Sequence, residues 1–224
     1  MVAPRGRGGR LEIGSTRTGP GTADALARSV LRLAGMDATL GSAVFATAIG
    51  GVGIAWGGAG VVGVFLPEAS EAATRRRIAR RYPGAQEFAP PAEVQCAVDA
   101  ITSLLRGERA DLSSIALDMR GVPELHRRVY EIARTIPPGQ TLAYGEIAAR
   151  LGDKRLAREV GQALAKNPFS IVVPCHRVLA AGGKLGGFSA RGGVETKLRM
   201  LSLEGVQLPG TLPLFAENGG PEGA

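Results

Sequence analysis

The segment with the most evident chemical potential is residues 167–178, which read NPFSIVVPCHRV. An apolar run here leads directly into a cysteine, a histidine and an arginine. A cysteine reacts as its thiolate, which forms when positive or hydrogen-bonding groups lie close to the sulfur. His176 and Arg177 are groups of this kind, so the pattern predicts that Cys175 is a nucleophile presented at the end of a buried element.

The apolar run predicts how the cysteine is supported. Residues 171–173 are expected to form a buried strand that stops at Pro174. Adjacent residues of a strand point to opposite faces, so His176 can reach Cys175 only through a turn or a bridging water. A simple cysteine hydrolase is disfavoured, because its base is normally distant in sequence. The alternative is a structural cysteine beside a histidine that binds backbone groups.

Two short helices are predicted before this segment, over residues 144–151 and 156–166, with a turn at Gly152 and Asp153. Such a pair forms a helix-turn-helix. The second helix carries three basic side chains suited to phosphate or groove contacts: Arg155, Arg158 and Lys166. Gly161 lowers the stability of that helix, which indicates close approach of another surface.

The composition is typical of a globular protein of one or two domains. The chain has 224 residues, of which 45% are hydrophobic and 21% charged, and this excludes disorder throughout. Its formal charge of +7 favours a polyanionic partner without identifying one. The two cysteines lack metal-binding spacing and do not suggest a disulfide framework, so a reducing, cytoplasmic location is expected.

The amino-terminal half is predicted to combine a sheet with helices. Residues 1–40 are expected to be a disordered basic extension, because their arginines lie among glycines and no signal peptide pattern follows. Residues 43–66 contain no charge and are long enough to span a bilayer. Their clustered glycines favour a meander of short strands instead.

Three helices and one short strand complete the pattern. An exposed basic helix is predicted over residues 68–82, with its arginine run as a solvated face, and an amphipathic helix over 93–106. A strand is predicted at 114–119, and a boundary between two units follows it. The second unit begins with a helix over 126–136.

Five segments then point to one family in their order and spacing: IPPGQTLAYGEIAARLG, AREVGQALAKNP, IVVPCHRV, GGKLGGFS and KLRMLSLEG. Over residues 122–206 the chain resembles the O6-alkylguanine-DNA alkyltransferases, also called methylated-DNA-protein-cysteine methyltransferases. The resemblance implies an α/β (α+β) fold. A small amino-terminal domain of β-meander and helices is expected at 41–120, a helical domain with the helix-turn-helix and the cysteine at 121–208, and a flexible tail at 209–224.

The resemblance also implies a function, the direct reversal of DNA damage. An alkyl group would pass from O6 of guanine in duplex DNA to Cys175, and each molecule would act once. His176 would deprotonate the thiol through a bound water, Glu204 would orient the histidine, and Asn167 would brace the turn. No cofactor is implied, and the ligands for the zinc that some members hold are missing here.

DNA recognition is implied for a further group of residues. The target nucleotide would be flipped out of the duplex, Arg158 would fill the vacated space, and Tyr144 would lie near the flipped nucleotide's phosphate. The second helix, with Gly161, would enter the minor groove. The expected partner is duplex DNA containing O6-alkylguanine, bound by a monomer away from membranes. Acceptance of O4-alkylthymine and of bulky alkyl groups is left open.

Some positions depart from the family. Phe188 stands where many members have a tyrosine, so Ser189 is expected to take over part of the assistance to the leaving guanine. Leu156 and Glu159 occupy positions where small residues are frequent. A glutamate that faces phosphates would weaken DNA binding unless it points away.

Three other functions are alternatives to this one. A lesion-binding protein that transfers nothing would lack the cysteine, whereas Cys175 is present. A fused alkylation sensor and transcription activator would need a cysteine-rich metal domain, and residues 1–40 contain no cysteine. A membrane-anchored protein would use residues 43–66 as its anchor.

Overall fold

The computed structural model describes residues 39–207, and these begin with a meander of three antiparallel strands: β1 (Gly41–Thr47), β2 (Gly50–Gly57) and β3 (Gly60–Phe65). Gly50 and Gly60 close the two hairpins with φ angles of 119° and 124°, a region that other residues rarely adopt. A short strand β4 (Gln86–Glu87) pairs in parallel with β1, giving the order β3-β2-β1-β4. The predicted meander is confirmed, and no helix within 39–207 is long and apolar enough to cross a membrane.

Two helices, α1 (Glu71–Arg81) and α2 (Ala92–Leu105), pack with this sheet. Alternation along β2 sends Val52 and Ile54 into the cluster that contains the buried stripe of α2. Ala55 instead packs with Ile78 of α1. A Cβ atom at Gly53 would lie only 2.7 Å from Cδ1 of Ile78, so the glycine permits the close contact between helix and sheet.

Up to residue 207, the carboxy-terminal half contains four α-helices: α3 (Glu124–Arg134), α4 (Tyr144–Arg150), α5 (Ala157–Ala165) and α6 (Val194–Leu203). Two short strands, β5 (Leu142–Ala143) and β6 (Val178–Leu179), pair in parallel beside them. The hydroxyl of Tyr130 in α3 donates to the carbonyl of Ala163 in α5 at 2.9 Å. Gly152, at φ 102°, and a 3-10 turn at Lys154–Leu156 connect α4 to α5.

The strand predicted at 171–173 is wrong. Its residues are buried as expected, but Ile171 has a φ of 75° and the segment folds as a tight turn. The Asn167 side chain supplies the hydrogen bonds that a strand partner would give, because it binds the carbonyl of Val173 and the N–H of Phe169. The strand predicted at 114–119 is reduced to one parallel bridge between Val61 and Leu117.

The two halves share a hydrophobic core. Ile171, Val172 and Met200 from the carboxy-terminal half pack into the same cluster as the sheet and α2. The domain limits 41–120 and 121–208 stay predictions. The expected tail, 209–224, lies outside the described residues, as does nearly all of the expected extension, 1–40.

Candidate active site

Cys175 lies in a 3-10 turn, Cys175–Arg177, that follows Pro174 directly. The backbone N–H of Cys175 donates to the carbonyl of Val173 at 2.8 Å. The cysteine is partly exposed, whereas His176 is fully buried. The turn that the sequence required between these neighbours is therefore present, and it leaves Cys175 partly accessible while the imidazole is buried.

Asn167 holds the segment that leads to this turn. Its Nδ2 donates to the carbonyl of Val173 at 2.9 Å, and its Oδ1 accepts from the N–H of Phe169 at 2.9 Å. The Asn167 amide also lowers the pKa of the Cys175 thiol. One amide therefore fixes two buried backbone groups and acts on the cysteine.

Glu204, the residue that ends α6, joins His176 to Arg177. Nε2 of His176 lies 2.8 Å from Oε1 of Glu204, and Arg177 donates to both carboxylate oxygens, at 2.8 and 2.9 Å. Burial by itself raises the pKa of Glu204, but these hydrogen bonds outweigh it and lower the pKa to about 2. The carboxylate is therefore ionised at neutral pH and accepts the N–H of Nε2.

This arrangement leaves Nδ1 of His176 as an acceptor. Nδ1 is buried and has no hydrogen-bond partner among residues 39–207. Burial lowers the pKa of His176, although Glu204 opposes the shift. A neutral imidazole with a free lone pair can take a proton from a neighbouring thiol.

The Cys175 thiol needs a base of this kind to become a thiolate. Burial raises the pKa of Cys175, while the Asn167 amide, the charge of Lys197 and nearby backbone N–H groups lower it in part. The cysteine therefore rests as a thiol at neutral pH. Its surroundings favour the thiolate once the proton has been removed.

Lys197 was not assigned a role by the sequence. It is fully buried in α6, and its Nζ donates to the carbonyls of Val178 and Leu185 at 2.6 and 2.7 Å. Burial lowers its pKa to about 8. The sequence feature that could have identified this lysine is its helical spacing from Met200 and Leu201, which places it on the buried face of α6.

Cys175 lines a cavity of about 400 Å³, together with Asn167, Phe188 and Ser189. Phe188 is half-buried against the shared core, with Nζ of Lys197 6.0 Å from its ring centre, and Ser189 is exposed. The glycine-rich segment thus contributes to the wall of this cavity. Three arginines of α1, which the sequence placed on a solvated face, also line it: Arg77, Arg80 and Arg81.

Tyr144 lies between two glycines beside the cysteine. A Cβ atom at Gly161 would be 3.9 Å from its ring, and one at Gly186 would be 3.6 Å from its ring and hydroxyl. Burial raises the pKa of Tyr144, and the charge of Cys175 adds to the shift. The phenol is therefore protonated at neutral pH and can donate a hydrogen bond.

The polar side chains of α5 and the turn before it differ in their surroundings. Arg158 is exposed, forms no ion pair or hydrogen bond within residues 39–207 and does not line the Cys175 cavity. Arg155 is held by Asp153 at 2.9 Å. Glu159 is half-buried, and its Oε2 is shielded from solvent without a partner in the described part of the chain, so this oxygen does not face outward.

One expected contact is not formed. Arg177, which the sequence placed beside the sulfur, is buried and donates to Glu204 and to the carbonyl of Ile136 at 2.6 Å. The arginine therefore supports the carboxylate behind the histidine. Within residues 39–207 no group of histidines, cysteines and carboxylates could hold a metal ion.

Comparisons with known proteins give a family match and several relatives. The family described as 6-O-methylguanine DNA methyltransferase, DNA binding domain, matches residues 124–206. A methylated-DNA–protein-cysteine methyltransferase of Methanothermobacter thermautotrophicus is 37% identical over 159 residues, which are 71% of this chain and 82% of the relative.

Two further relatives differ in what their names describe. The crystal structure of Mycobacterium tuberculosis OGT in complex with DNA matches with a TM-score of 0.60 and 33% identity, covering 73% of this chain and 92% of that one. A DNA base-flipping protein of Thermus thermophilus is 38% identical over 132 residues, 58% of this chain and 87% of the relative.

Proposed function

Because this chain belongs to the methylated-DNA–protein-cysteine methyltransferase family, we propose that it repairs O6-alkylated guanine in duplex DNA by transferring the alkyl group to Cys175. The observation that carries the proposal is the arrangement around the cysteine. A partly exposed thiol in a braced turn precedes a buried histidine whose Nε2 is held by an ionised carboxylate. This arrangement supports proton removal from the thiol.

In the proposed reaction, Nδ1 of His176 takes the thiol proton through a water molecule. The thiolate attacks the alkyl carbon, a carbon–sulfur bond forms, and the bond from that carbon to O6 breaks. The departing guanine gains one proton in place of the alkyl group, so the proton removed from the thiol balances the reaction. Glu204 stabilises the imidazolium that forms in between, as an orienting carboxylate does in other relays.

The guanine must leave the base stack for its O6 to meet the sulfur, since a base inside a duplex cannot reach such a pocket. We assign α4 and α5 to a helix-turn-helix that enters the minor groove. Arg158 would fill the vacated space, because it is exposed and free of partners in the described residues. Gly161 would allow the groove to approach, and Tyr144 would lie near the flipped nucleotide's phosphate.

The reaction consumes the protein. A thioether has no easy leaving path, so each molecule repairs one base and no cofactor takes part. Cys96 and Cys175 are both free thiols, and thiols are kept reduced in the cytoplasm. We therefore propose a cytoplasmic location, and we propose that the protein acts as a monomer.

The second candidate is recognition without transfer, which the name of the Thermus relative favours. Such a protein would flip the damaged base and hold it. Cys175 and its relay would then have no chemical role. The contact between the histidine and the carboxylate would serve only to pair two buried groups, because burying them together is costly unless they pair. The presence of the complete relay favours transfer.

The two candidates differ in what happens to the DNA. Duplex containing one O6-methylguanine is incubated with the protein at several molar ratios, and the digested nucleosides are separated by chromatography. Transfer predicts that O6-methylguanine disappears and guanine appears, mole for mole with protein, and that Cys175→Ser converts none. Tight binding with all O6-methylguanine intact would overturn the proposal.

A further inference from the structure

Helix α1 belongs to the amino-terminal half, yet it reaches the cavity of the reactive cysteine. Arg77, Arg80 and Arg81 are spaced so that they share one face of the helix, and all three line the cavity that contains Cys175. Lys166, which ends α5, lines the same cavity from the other half of the chain. No carboxylate is among the described residues of this lining.

The three arginines are not equally available. Arg77 is paired with Glu68 at 2.6 Å. Arg80 is exposed and has no ion pair or hydrogen bond with any residue from 39 to 207. Arg81 is also exposed and lies over the ring of Tyr82, with Cζ 5.2 Å from its centre, a contact that leaves its N–H groups free.

Other arginines of α1 do not share this position. Arg75 is held by Glu71 and Glu87 at 3.2 and 2.9 Å. Arg76 is exposed but does not line the cavity. Arg80 and Arg81 therefore differ from an ordinary solvated charge, because their free donors lie at the wall of a cavity that holds a nucleophile and lacks negative charge.

We propose that Arg80 and Arg81 bind a backbone phosphate of the DNA strand that carries the lesion. This inference rests on the proposed function. A guanidinium presents a planar fork that matches two phosphate oxygens, and a cavity wall with only positive charges favours a phosphodiester. The amino-terminal half thus adds a contact to the DNA surface of α4 and α5, and this contact helps to seat the damaged strand against Cys175.

The test compares two double variants with equal loss of charge. Arg80→Gln with Arg81→Gln removes the proposed contact. Arg76→Gln with Arg106→Gln is the matched control, because both of these arginines are exposed and neither lines the cavity. Binding of a fluorescent duplex containing O6-methylguanine is followed by anisotropy over a range of NaCl concentrations, and single-turnover transfer is measured at saturating DNA.

The logarithm of the binding constant falls linearly with the logarithm of the salt concentration. Loss of one phosphate contact makes this slope less steep by about 0.9. The Arg80 and Arg81 variant is expected to show a slope less steep by about 1 and about fivefold weaker binding at moderate salt. The control should stay close to the wild type in affinity, in salt slope and in the transfer rate at saturation.

Equal salt slopes for the two double variants would overturn the inference. Failure of the wild type to transfer any alkyl group would overturn the proposed function instead. The binding slopes would still decide the phosphate contact in that case.

Discussion

The proposed proton transfer depends on which nitrogen of His176 carries the proton. Glu204 decides this, because an ionised carboxylate 2.8 Å from Nε2 requires the proton there. The sequence identified Cys175 and His176 by their residue types and adjacency. Glu204 is 28 positions away from the histidine, so only the family resemblance pointed to it, and nothing in the pattern linked it to Arg177.

Replacing His176 with glutamine tests the base directly. Glutamine can still donate to Glu204 but cannot accept the thiol proton, so the single-turnover rate is expected to fall by about 10² to 10⁴ at neutral pH. The residual rate should rise about tenfold per pH unit below the thiol pKa, since it follows the thiolate fraction. Duplex affinity should stay within about twofold, because His176 is buried. A rate within threefold of the wild type would contradict the relay.

The pKa of Glu204 predicts a pH-dependent contribution to stability. Its folded value of about 2 lies below the ordinary 4.5, so the contribution is fully present above pH 4.5 and is lost as the pH falls toward 2. The shift corresponds to about 3 kcal/mol. Glu204→Gln should therefore be less stable than the wild type near pH 7, with a difference that shrinks between pH 4.5 and 2.

Urea unfolding at a series of pH values measures this difference. Glu195→Gln is the matched control, because Glu195 is an exposed residue of the same helix. Its unfolding free energy should follow that of the wild type throughout. If Glu204→Gln lowers the unfolding free energy by the same amount at low and at neutral pH, the lowered pKa of Glu204 is contradicted.

At the scale of elements, the turn before the cysteine shows where sequence patterns fail. An apolar run of β-branched residues indicated a strand at 171–173, and burial was predicted correctly. The backbone instead turns at Ile171, at φ 75°, because one asparagine replaces the hydrogen bonds of a strand partner. The helices α2 and α3 were predictable because their apolar spacing reflects the face that they bury.

Asn167→Ala tests whether that side chain maintains the turn. The substitution leaves the buried N–H of Phe169 without a partner and removes one of the two donors to the carbonyl of Val173, the other being the N–H of Cys175. The expected cost is about 2 kcal/mol of unfolding free energy. Transfer should slow as well, because the cysteine loses its support. Gln162→Ala, at an exposed site of α5, is the control for urea unfolding. A change below about 0.5 kcal/mol for Asn167→Ala would contradict the role.

Gly161→Ala separates folding from DNA contact within α5. The added Cβ would lie 3.9 Å from the Tyr144 ring, an ordinary contact, so the helix should gain about 0.5 to 1 kcal/mol. Anisotropy with duplex DNA should nevertheless show weaker binding if the groove approaches this glycine. Increased stability with unchanged affinity would mean that α5 meets the DNA elsewhere.

At the scale of the whole molecule, the site is assembled from both halves around one shared core. Residues 171 and 172 pack with the sheet while Cys175 follows them, so the sheet supports the reactive turn. Sequence analysis could predict the family, the sheet and most helices. It could not predict that α1 reaches the cavity, because an arginine run has the same pattern on a solvated face and at a binding surface.

The central claim is that Cys175 is the permanent acceptor of the alkyl group. The most direct measurement is mass spectrometry of the peptide containing Cys175 after the whole protein has reacted with excess duplex carrying O6-methylguanine. We expect one added methyl group at Cys175 in every active molecule, none at Cys96, and no further repair afterwards. An unmodified Cys175 on a chain that binds the duplex tightly would contradict it.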